Sequence, residues 1–425
     1  MEISYFHRKS CRLCLSDNVV LASQLVPTPP GDIFIKSDAL NRKEETFPLD
    51  LFLCASCGNI QLLDVVSPNV LYANYIYRTE ISFGLSDYFQ KYADDVLAFV
   101  APGPGGLVID IGSNDGTLLR YFKKQGFNVL GIDPAPISQM VNKSGIEALQ
   151  TFFSVKLAQE LREKRGIPKL VTANNVVANI DDLDDFFTGI RDLIGQEGCF
   201  VFETGYGLDL VDKKLLDVVH HEHLSYFTVG SLQRSLARFG LELIHVQHTA
   251  SKGGCIRSYI QGKNGPRKLE PSVAAMMALE TSRGIDKIEA FKPLNYFIDQ
   301  TREHLRQEIL GWQAQGKSIA GYGASVGTTT LAHLFALGDK LEYVVDDNPD
   351  RLGLFTPGHH LASYSSDILE EKKPDYVIVF AWRFIEPILK RHKKFMENGG
   401  QFLVFLPEWK VYGKNAKTGD LSYYR

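Results

Sequence analysis

Apolar and polar positions alternate along the chain in blocks that are typical of an α/β protein. Short apolar runs bounded by glycine, proline or acidic residues predict strands, and longer amphipathic stretches predict helices. In the first half the pattern predicts strands at 108–110, 128–132, 170–173, 199–203 and 243–247, and helices at 117–124, 154–164 and 184–194. This alternation predicts a parallel sheet that is covered by helices on both faces.

The second half repeats the pattern after a long helical segment at 294–315. A strand and glycine turn at 318–327 begin another βαβ unit, and further strand signals lie at 342–347, 376–380 and 401–405. An amphipathic helix at about 80–100 precedes the first sheet. We therefore expect three domains, at residues 1–78, 79–292 and 293–425.

Composition agrees with a multidomain globular protein. The chain has 425 residues, 44% of them hydrophobic and 23% charged, with a net charge of −4. This charge argues against nucleic acid or an anionic membrane as a partner, and no stretch reaches 18 apolar residues. We expect a cytoplasmic protein, and a monomer because no long unpaired apolar surface is recognisable.

Four of the six cysteines form two C-x-x-C pairs: Cys11, Cys14, Cys54 and Cys57. In a reducing compartment two such pairs predict one tetrahedral zinc site. A structural ion is favoured over redox pairs, and over catalytic zinc because four sulfurs leave no position for water. The other two, Cys199 and Cys255, lie in apolar surroundings typical of core residues.

The glycine turn after the first strand of the central region carries acids. A dinucleotide pyrophosphate prefers such a turn without negative side chains, whereas S-adenosylmethionine (SAM) has a cationic sulfonium and no phosphate. The turn therefore favours SAM over NAD, with an acid about 20 residues later placed to bind the ribose hydroxyls. The candidate cofactor residues are Asp110, Gly112, Ser113, Asn114, Gly116, Asp133 and Asn175.

A second glycine turn, with Gly321 and Gly323, is also followed by an acid about 20 residues later and imitates an NAD fingerprint. The helix that follows begins with Thr328-Thr-Thr330, and the N-terminus of such a helix can bind a phosphate group. Three interpretations stay open: a dinucleotide site, a phosphate-bearing substrate, and a purely structural Rossmann-like sheet.

Three histidines lie within four positions in the segment 217–227. Such a cluster is costly to bury, so it either faces water or serves a site. Zinc binding of the H-E-x-x-H kind fits poorly because His220 and His223 are three apart rather than four. An acid/base or substrate role is favoured over a solvated loop because the flanking residues are apolar.

Together these motifs resemble, in order along the chain, those of the sugar C-methyltransferases of deoxysugar biosynthesis. The motifs are the paired C-x-x-C module and segments 108–116, 221–227, 252–257, 321–325 and 373–376. The resemblance implies a zinc domain, a class I SAM domain and a C-terminal Rossmann-like domain, with a nucleotide-linked sugar between them. It also implies methylation of a ring carbon beside the ketone of a 4-keto-6-deoxy sugar, through an enolate.

The resemblance also assigns residues. It implies His223 as general base with Glu222 as its supporting acid, and it extends the catalytic set to His220 and Tyr77. Packing against the SAM domain is the alternative for the tyrosines. The implied substrate-binding residues are Tyr75, Asn179, Lys252, Tyr322 and Ser325.

Three positions depart from the family pattern. The family usually has tyrosine where this chain has His220, histidine where it has Asn179, and a lysine near Gly327. Tyrosine and histidine there can hydrogen-bond a developing enolate oxygen. Two alternatives therefore stay open: SAM-dependent O- or N-methylation of a related sugar, and a non-catalytic zinc-stabilised nucleotide-binding module.

Overall fold

The computed structural model describes residues 5–71, 79, 84–137, 141, 145–414 and 421–423. The predicted site residues Tyr75 and Tyr77 lie outside these residues. The strands in chain order are β1 (Tyr5–His7), β2 (Val19–Ser23), β3 (Leu51–Cys54), β4 (Ile60–Leu62), β5 (Asp64–Val66), β6 (Leu107–Ile111), β7 (Asn128–Ile132), β8 (Glu147–Leu149), β9 (Leu170–Asn174), β10 (Cys199–Gly205), β11 (Ser225–Tyr226), β12 (Leu241–Thr249), β13 (Cys255–Gly262), β14 (Ile319–Tyr322), β15 (Val344–Asp346), β16 (Ser363–Ser365), β17 (Tyr376–Val379), β18 (Gln401–Val404), β19 (Lys410–Lys414) and β20 (Leu421–Tyr423).

The α-helices share the amphipathic character of elements that pack on sheets. In chain order they are α1 (Pro68–Leu71), α2 (Leu85–Val100), α3 (Thr117–Lys124), α4 (Val155–Arg165), α5 (Leu183–Ile194), α6 (Gly207–Asp212), α7 (Val229–Ser235), α8 (Pro271–Arg283), α9 (Lys292–Ala314), α10 (Val326–Leu334), α11 (Leu369–Lys372), α12 (Ile385–Arg391) and α13 (Lys393–Glu397).

The central sheet has the strand order β12-β13-β10-β9-β6-β7-β8. Strands β7, β6, β9 and β10 are parallel, as the sequence predicts, and β8, which was not predicted, adds a further parallel strand. The prediction of a parallel sheet is wrong at one edge, where β13 and β12 are antiparallel. Sequence analysis missed β13 because Arg257, Ser258 and Gln261 interrupt its apolar pattern, although the whole strand is buried.

The C-terminal sheet has the strand order β16-β15-β14-β17-β18-β19-β20. The predicted strands β14, β15, β17 and β18 are present and parallel, and β19 and β20 add an antiparallel edge. Helix α9 buries one face through Leu294, Ile298, Leu305, Ile309 and Trp312, spaced as an amphipathic helix requires. Of the helices that the structure describes, none is apolar over a length that would cross a membrane.

A four-stranded antiparallel sheet, β11-β4-β3-β2, forms the N-terminal part of the molecule. Its edge strand β11 comes from the middle of the chain, where Ser225 pairs with Gln61 and Tyr226 with Ile60. The backbone N–H of Leu62 also donates to the carbonyl of Leu224 at 3.0 Å. The residues directly after the histidine segment are therefore built into the N-terminal sheet.

The start of α10 packs against other parts of the chain. The hydroxyls of Thr328, Thr329 and Thr330 donate to the carbonyls of residues 323, 31 and 219 at 2.9, 3.3 and 2.7 Å. A Cβ atom at Gly327 would lie 2.3 Å from the Asp217 carbonyl oxygen. Because each hydroxyl already donates to a carbonyl, we assign these threonines to packing rather than to phosphate binding.

We expect Gly327→Ala to lower the free energy of unfolding by about 1–3 kcal/mol, because the added methyl overpacks against a backbone atom. Gly311→Ala is the matched control, since a Cβ atom there meets nothing within 4 Å inside α9. That control should stabilise by about 0.5–1 kcal/mol. Urea unfolding measures both, and equal stability of the Gly327 variant and wild type would contradict the packing described here.

Candidate functional site

The four cysteines of the C-x-x-C pairs meet at one point, with all four sulfurs within 4.8 Å of one another. The Sγ atoms of Cys11 and Cys57 are 3.7 Å apart, and those of Cys14 and Cys54 are 3.6 Å apart. Tetrahedral zinc with Zn–S bonds of about 2.3 Å places its sulfurs about 3.8 Å apart, whereas a disulfide requires about 2 Å. The donor set therefore fits a structural zinc ion.

Two similar turns present these thiolates. The N–H of Leu15 donates to the Cys11 carbonyl at 2.9 Å, and the N–H of Gly58 donates to the Cys54 carbonyl at 2.8 Å. Both donors have left-handed backbones, with φ of 65° and 80°. The residue after each second cysteine thus turns the chain back over the site.

Arg12, between the first two cysteines, connects the zinc site to the histidine segment. Its side chain is buried, its guanidinium donates to the Leu224 carbonyl, and its backbone N–H donates to Gln61 at 3.1 Å. Burial lowers the pKa of Arg12 to about 10 although Asp181 opposes the change. The guanidinium stays charged at neutral pH and holds the carbonyl that follows His223.

The predicted cofactor residues gather at the carboxyl edge of the central sheet. Asp133 follows β7, and its two carboxylate oxygens accept from the backbone N–H groups of Asn114 and Ala135 at 2.8 Å each. Gly112 donates its N–H to the Ile132 carbonyl at 2.7 Å and has φ of 73°. Asp133 thus fixes the turn and keeps lone pairs for further donors.

Other cofactor candidates have different positions. Asp110 is buried within β6, where the Thr172 hydroxyl donates to it at 2.6 Å and burial raises its pKa to about 7. Gly116 precedes α3 with φ of 75° and donates to the Ser113 carbonyl at 2.9 Å. Asp110 therefore braces the sheet, while Gly116 shapes the turn.

Unsatisfied polar atoms lie at the same edge. Both amide atoms of Asn174 and the hydroxyl of Ser113 are buried and have no hydrogen-bond partner among the residues described. Asn175 follows in a left-handed conformation, with φ of 57°. Buried polar groups without partners are costly, so this edge fits a polar ligand such as SAM.

In the histidine segment His220 and His221 are buried and His223 is half-buried, and hydrogen bonds define the tautomer of His223. The Nδ1 of this ring lies 2.8 Å from the Val218 carbonyl, which also accepts from the Tyr226 hydroxyl at 3.3 Å. A carbonyl only accepts, so Nδ1 carries the proton and Nε2 carries the lone pair. His220 packs on this ring with centroids 3.9 Å apart, and His221 Nε2 bonds the Phe47 carbonyl at 3.2 Å.

Burial sets the charges of this segment. It lowers the pKa of His223 to about 4, with Lys252 adding to the effect, and it lowers the pKa of His220 well below the ordinary value. It raises the pKa of Glu222 to about 8, with Asp32 adding and Lys252 opposing. At neutral pH these histidines are neutral, and Glu222 retains its proton.

A small cleft brings three of the predicted groups together, because Asn175, His223 and Lys252 all line it. Tyr206 and Cys255 also contribute to its wall. The cleft extends from the carboxyl edge of the central sheet to the histidine segment. It therefore joins a cofactor candidate, a base candidate and a substrate candidate in one space. The predicted substrate residue Asn179 ends the short helical turn Val177–Asn179, next to this wall.

Two predicted substrate residues belong to local networks of the C-terminal sheet. The Tyr322 hydroxyl lies 2.7 Å from Asp347 and 3.2 Å from His392. Ser325 caps α10 by exchanging hydrogen bonds with Thr328. Neither is among the residues that line the cleft.

Sequence analysis missed an ion pair beside the cleft. Arg383 Nη1 lies 2.6 Å from Asp217 Oδ2. Asp217 belongs to the histidine segment that the sequence singles out. Arg383 is part of no motif, and its pairing with Asp217 cannot be recognised from sequence because the two residues are distant in the chain.

We expect Cys54→Ser to lose the zinc ion and to unfold at a lower temperature, because zinc binding free energy contributes to folding. Cys199→Ala is the control, since Cys199 lies in β10 of the central sheet, outside the four-sulfur cluster, and should leave zinc content unchanged. Metal analysis and thermal unfolding measure both effects. Full zinc content in the Cys54 variant would contradict a four-thiolate site.

Comparison with known proteins covers nearly the whole chain. Three family models match in order: "Putative zinc binding domain" at residues 11–72, "Methyltransferase domain" at 85–246 and "C-methyltransferase C-terminal domain" at 250–407. The C-methyltransferase NovU of Streptomyces niveus is 29% identical over 403 residues, which cover 94% of this chain and 96% of that protein.

Solved methyltransferase structures align with a smaller part of the chain. Magnesium protoporphyrin IX methyltransferase from Synechocystis PCC 6803 with bound SAH is 16% identical, covers 43% of this chain and 89% of its own, and has a TM-score of 0.33. A TehB-like SAM-dependent methyltransferase from Corynebacterium glutamicum is 17% identical, with 41% and 88% covered and a TM-score of 0.31. The three ordered matches identify the chain as a SAM-dependent methyltransferase that has a zinc-binding N-terminal part and is similar along nearly its whole length to a C-methyltransferase.

Proposed function

We propose that this enzyme methylates the ring carbon beside the ketone of a nucleotide-linked 4-keto-6-deoxy sugar, through an enolate. The observation that carries the proposal is the cleft in which a neutral His223, with its lone pair on Nε2, lies together with Asn175 and Lys252. Methyl transfer to carbon requires a base that removes a proton from that carbon, whereas transfer to oxygen or nitrogen leaves the C–H bond intact.

His223 is the general base in this proposal. Its Nε2 accepts the proton from the carbon beside the ketone, and the C–H electron pair forms the C=C bond of the enolate. The ketone π electrons move onto oxygen, which becomes negatively charged. The Val218 carbonyl accepts a hydrogen bond from Nδ1–H, with 2.8 Å between Nδ1 and the carbonyl oxygen, and stabilises the imidazolium that forms.

Lys252 stabilises the enolate oxygen. It lines the cleft with His223, and in the part of the chain that the structure describes it makes no hydrogen bond or ion pair. Its backbone is left-handed, with φ of 51° and ψ of 26°, a strained conformation of the kind that collects at functional sites. A cation placed at a developing oxyanion contributes about 3 kcal/mol to catalysis.

Glu222 and His220 keep the site free of negative charge. Burial raises the pKa of Glu222 to about 8, so its carboxyl group is neutral when the enolate forms. His220 is neutral as well, because burial lowers its pKa. A second anion beside the enolate would raise the barrier. Glu222 thus acts as a neutral acid beside the base.

The cofactor lies at the carboxyl edge of the central sheet. Asp133 accepts from the ribose hydroxyls, while Gly112, Ser113, Asn114 and Asn175 form the wall around it. Bound SAM supplies the electrophilic methyl group. The polar atoms of Asn174 and Ser113 that lack partners among the described residues support this placement.

The proposal includes the domain boundaries 1–78, 79–292 and 293–425, with the nucleotide sugar bound between the second and third domains. The three sheets support these boundaries, except that β11 joins the first domain from within the second. We also propose that the enzyme is a monomer in the cytoplasm, because a reducing compartment keeps the four thiolates of the zinc site from being oxidised. Tyr75, Tyr77, Asn179, Tyr322 and Ser325 remain candidate substrate contacts.

The experiment incubates the purified enzyme in heavy water with dTDP-, GDP- and UDP-linked 4-keto-6-deoxy sugars, with and without SAM. We expect deuterium at the carbon beside the ketone without SAM, and one added methylene unit with SAM. His223→Ala should slow the deuterium exchange by about 100-fold or more. His304→Ala, a half-exposed histidine of α9, is the control.

Each other outcome has a distinct meaning. Methyl transfer to oxygen or nitrogen without deuterium exchange would replace the proposal with O- or N-methylation. SAM binding without transfer to any sugar would favour a non-catalytic module. Full exchange in the His223 variant would remove His223 as the base.

The rate of deuterium exchange should follow a bell-shaped pH profile. His223 accepts the proton only when neutral, so the rate falls as pH drops through about 4. Glu222 loses its proton as pH rises through about 8, which places an anion beside the enolate and slows exchange again. Glu222→Gln should abolish the alkaline fall and keep the acid one. An acid limb at the ordinary histidine value of 6.5 would contradict a buried neutral base.

A further inference from the structure

An ion pair links the C-terminal sheet to the histidine segment. Arg383 lies in the short helical turn Trp382–Phe384 that follows β17, and its Nη1 is 2.6 Å from Asp217 Oδ2. The Asp217 side chain is 9% exposed and that of Arg383 is 27% exposed. Removing the Asp217 carboxylate from water is costly, and the nearby guanidinium offsets part of that cost.

The turn that carries Asp217 is held from the C-terminal sheet at further points. Asp217 lies in the turn Leu216–Val218. The Thr330 hydroxyl of α10 donates a hydrogen bond at 2.7 Å to the carbonyl of Val219, the residue directly after this turn. Gly327 lets α10 approach, because any side chain there would meet the Asp217 backbone. The C-terminal sheet therefore fixes the backbone on both sides of Val218.

Val218 is the residue whose carbonyl selects the tautomer of His223. That carbonyl accepts from His223 Nδ1 at 2.8 Å and from the Tyr226 hydroxyl at 3.3 Å. A rotation of this peptide removes the acceptor from Nδ1. The ring can then carry its proton on Nε2, where it cannot act as a base.

Arg383 also lies near the second segment that lines the cleft. A Cβ atom added at Gly253, the neighbour of Lys252, would lie 3.4 Å from Arg383 Cδ. The same arginine therefore pairs with Asp217 and lies beside the turn that carries the proposed enolate partner.

We propose that Asp217 and Arg383 are positioning residues that hold the Val218 carbonyl and so keep the lone pair of His223 on Nε2. This inference rests on the proposed function, in which His223 is the base. It assigns the C-terminal sheet a part in proton removal: the base is competent only while that sheet is docked on the histidine segment.

The test compares Arg383→Gln, Asp217→Asn, the double variant and Arg383→Lys in the full-length zinc-loaded enzyme. The control is Arg306→Gln, which removes an exposed ion pair with Glu303 on α9. Readouts are the kcat and KM of deuterium exchange into the 4-keto sugar and the His223 tautomer from ¹⁵N chemical shifts. Asp217→Asn is isosteric, so it remains informative even if Arg383→Gln fails to fold.

We expect Arg383→Gln and Asp217→Asn to lower the kcat of exchange by about 10-fold to 100-fold, because a base displaced by about 1 Å loses that much. KM should change little, and part of the His223 signal should shift to the Nε2–H tautomer. The double variant should be no slower than the slower single variant, since both act on one turn. Arg383→Lys should restore most of the rate.

Failure of the inference differs from failure of the proposed function. If His223→Ala abolishes exchange while both single variants keep the wild-type rate and tautomer, the positioning role is wrong. A raised KM with unchanged kcat in Arg383→Gln would make Arg383 a substrate contact instead. Full exchange in His223→Ala would overturn the proposed base, whatever the Arg383 variants do.

Discussion

The position of the histidine segment depends on the hydrogen bonds that the Leu224 carbonyl makes with the N-terminal part of the chain. This carbonyl accepts hydrogen bonds from the guanidinium of Arg12 and from the backbone N–H of Leu62, so two residues of the N-terminal part of the chain hold it in place. Arg12 is fixed in turn by the zinc turn between Cys11 and Cys14. Because His223 is the preceding residue, a metal site near the start of the chain determines where the candidate base lies. The zinc ion therefore organises the cleft without touching it.

Burial is the second constraint, and it acts through charge. The segment around His223 lies where ionised side chains are costly, so histidines lose protons and Glu222 retains one. Arg12 stays charged because carbonyl and carboxylate groups surround it. Burial thus keeps both the candidate base and its neighbour in sequence, Glu222, neutral.

Local sequence determined much of the fold. The bounds of α3 and β7 are those predicted, and the spacing of the cysteines was enough to predict the zinc site. Strand β11 was not predicted, because two residues carry no periodicity and its partner strand β4 is distant in sequence. Arg383 and the Val218 carbonyl were missed for a related reason: a lone arginine and a backbone atom gain meaning only through long-range packing. Site residues that form a motif are readable from sequence, whereas those that orient a motif are not.

Two departures from the family pattern, at His220 and near Gly327, can be interpreted from the structure. A neutral His220 packed at a tilt against His223 is a weaker donor than an imidazolium, so it could not supply a positive charge to the proposed enolate oxygen. Lys252 lines the same cleft and has no hydrogen-bond or ion-pair partner among the described residues. No side chain fits at Gly327 itself, because its Cβ position is filled by the backbone of Asp217. The same close approach lets the C-terminal sheet hold the turn that we propose orients the base.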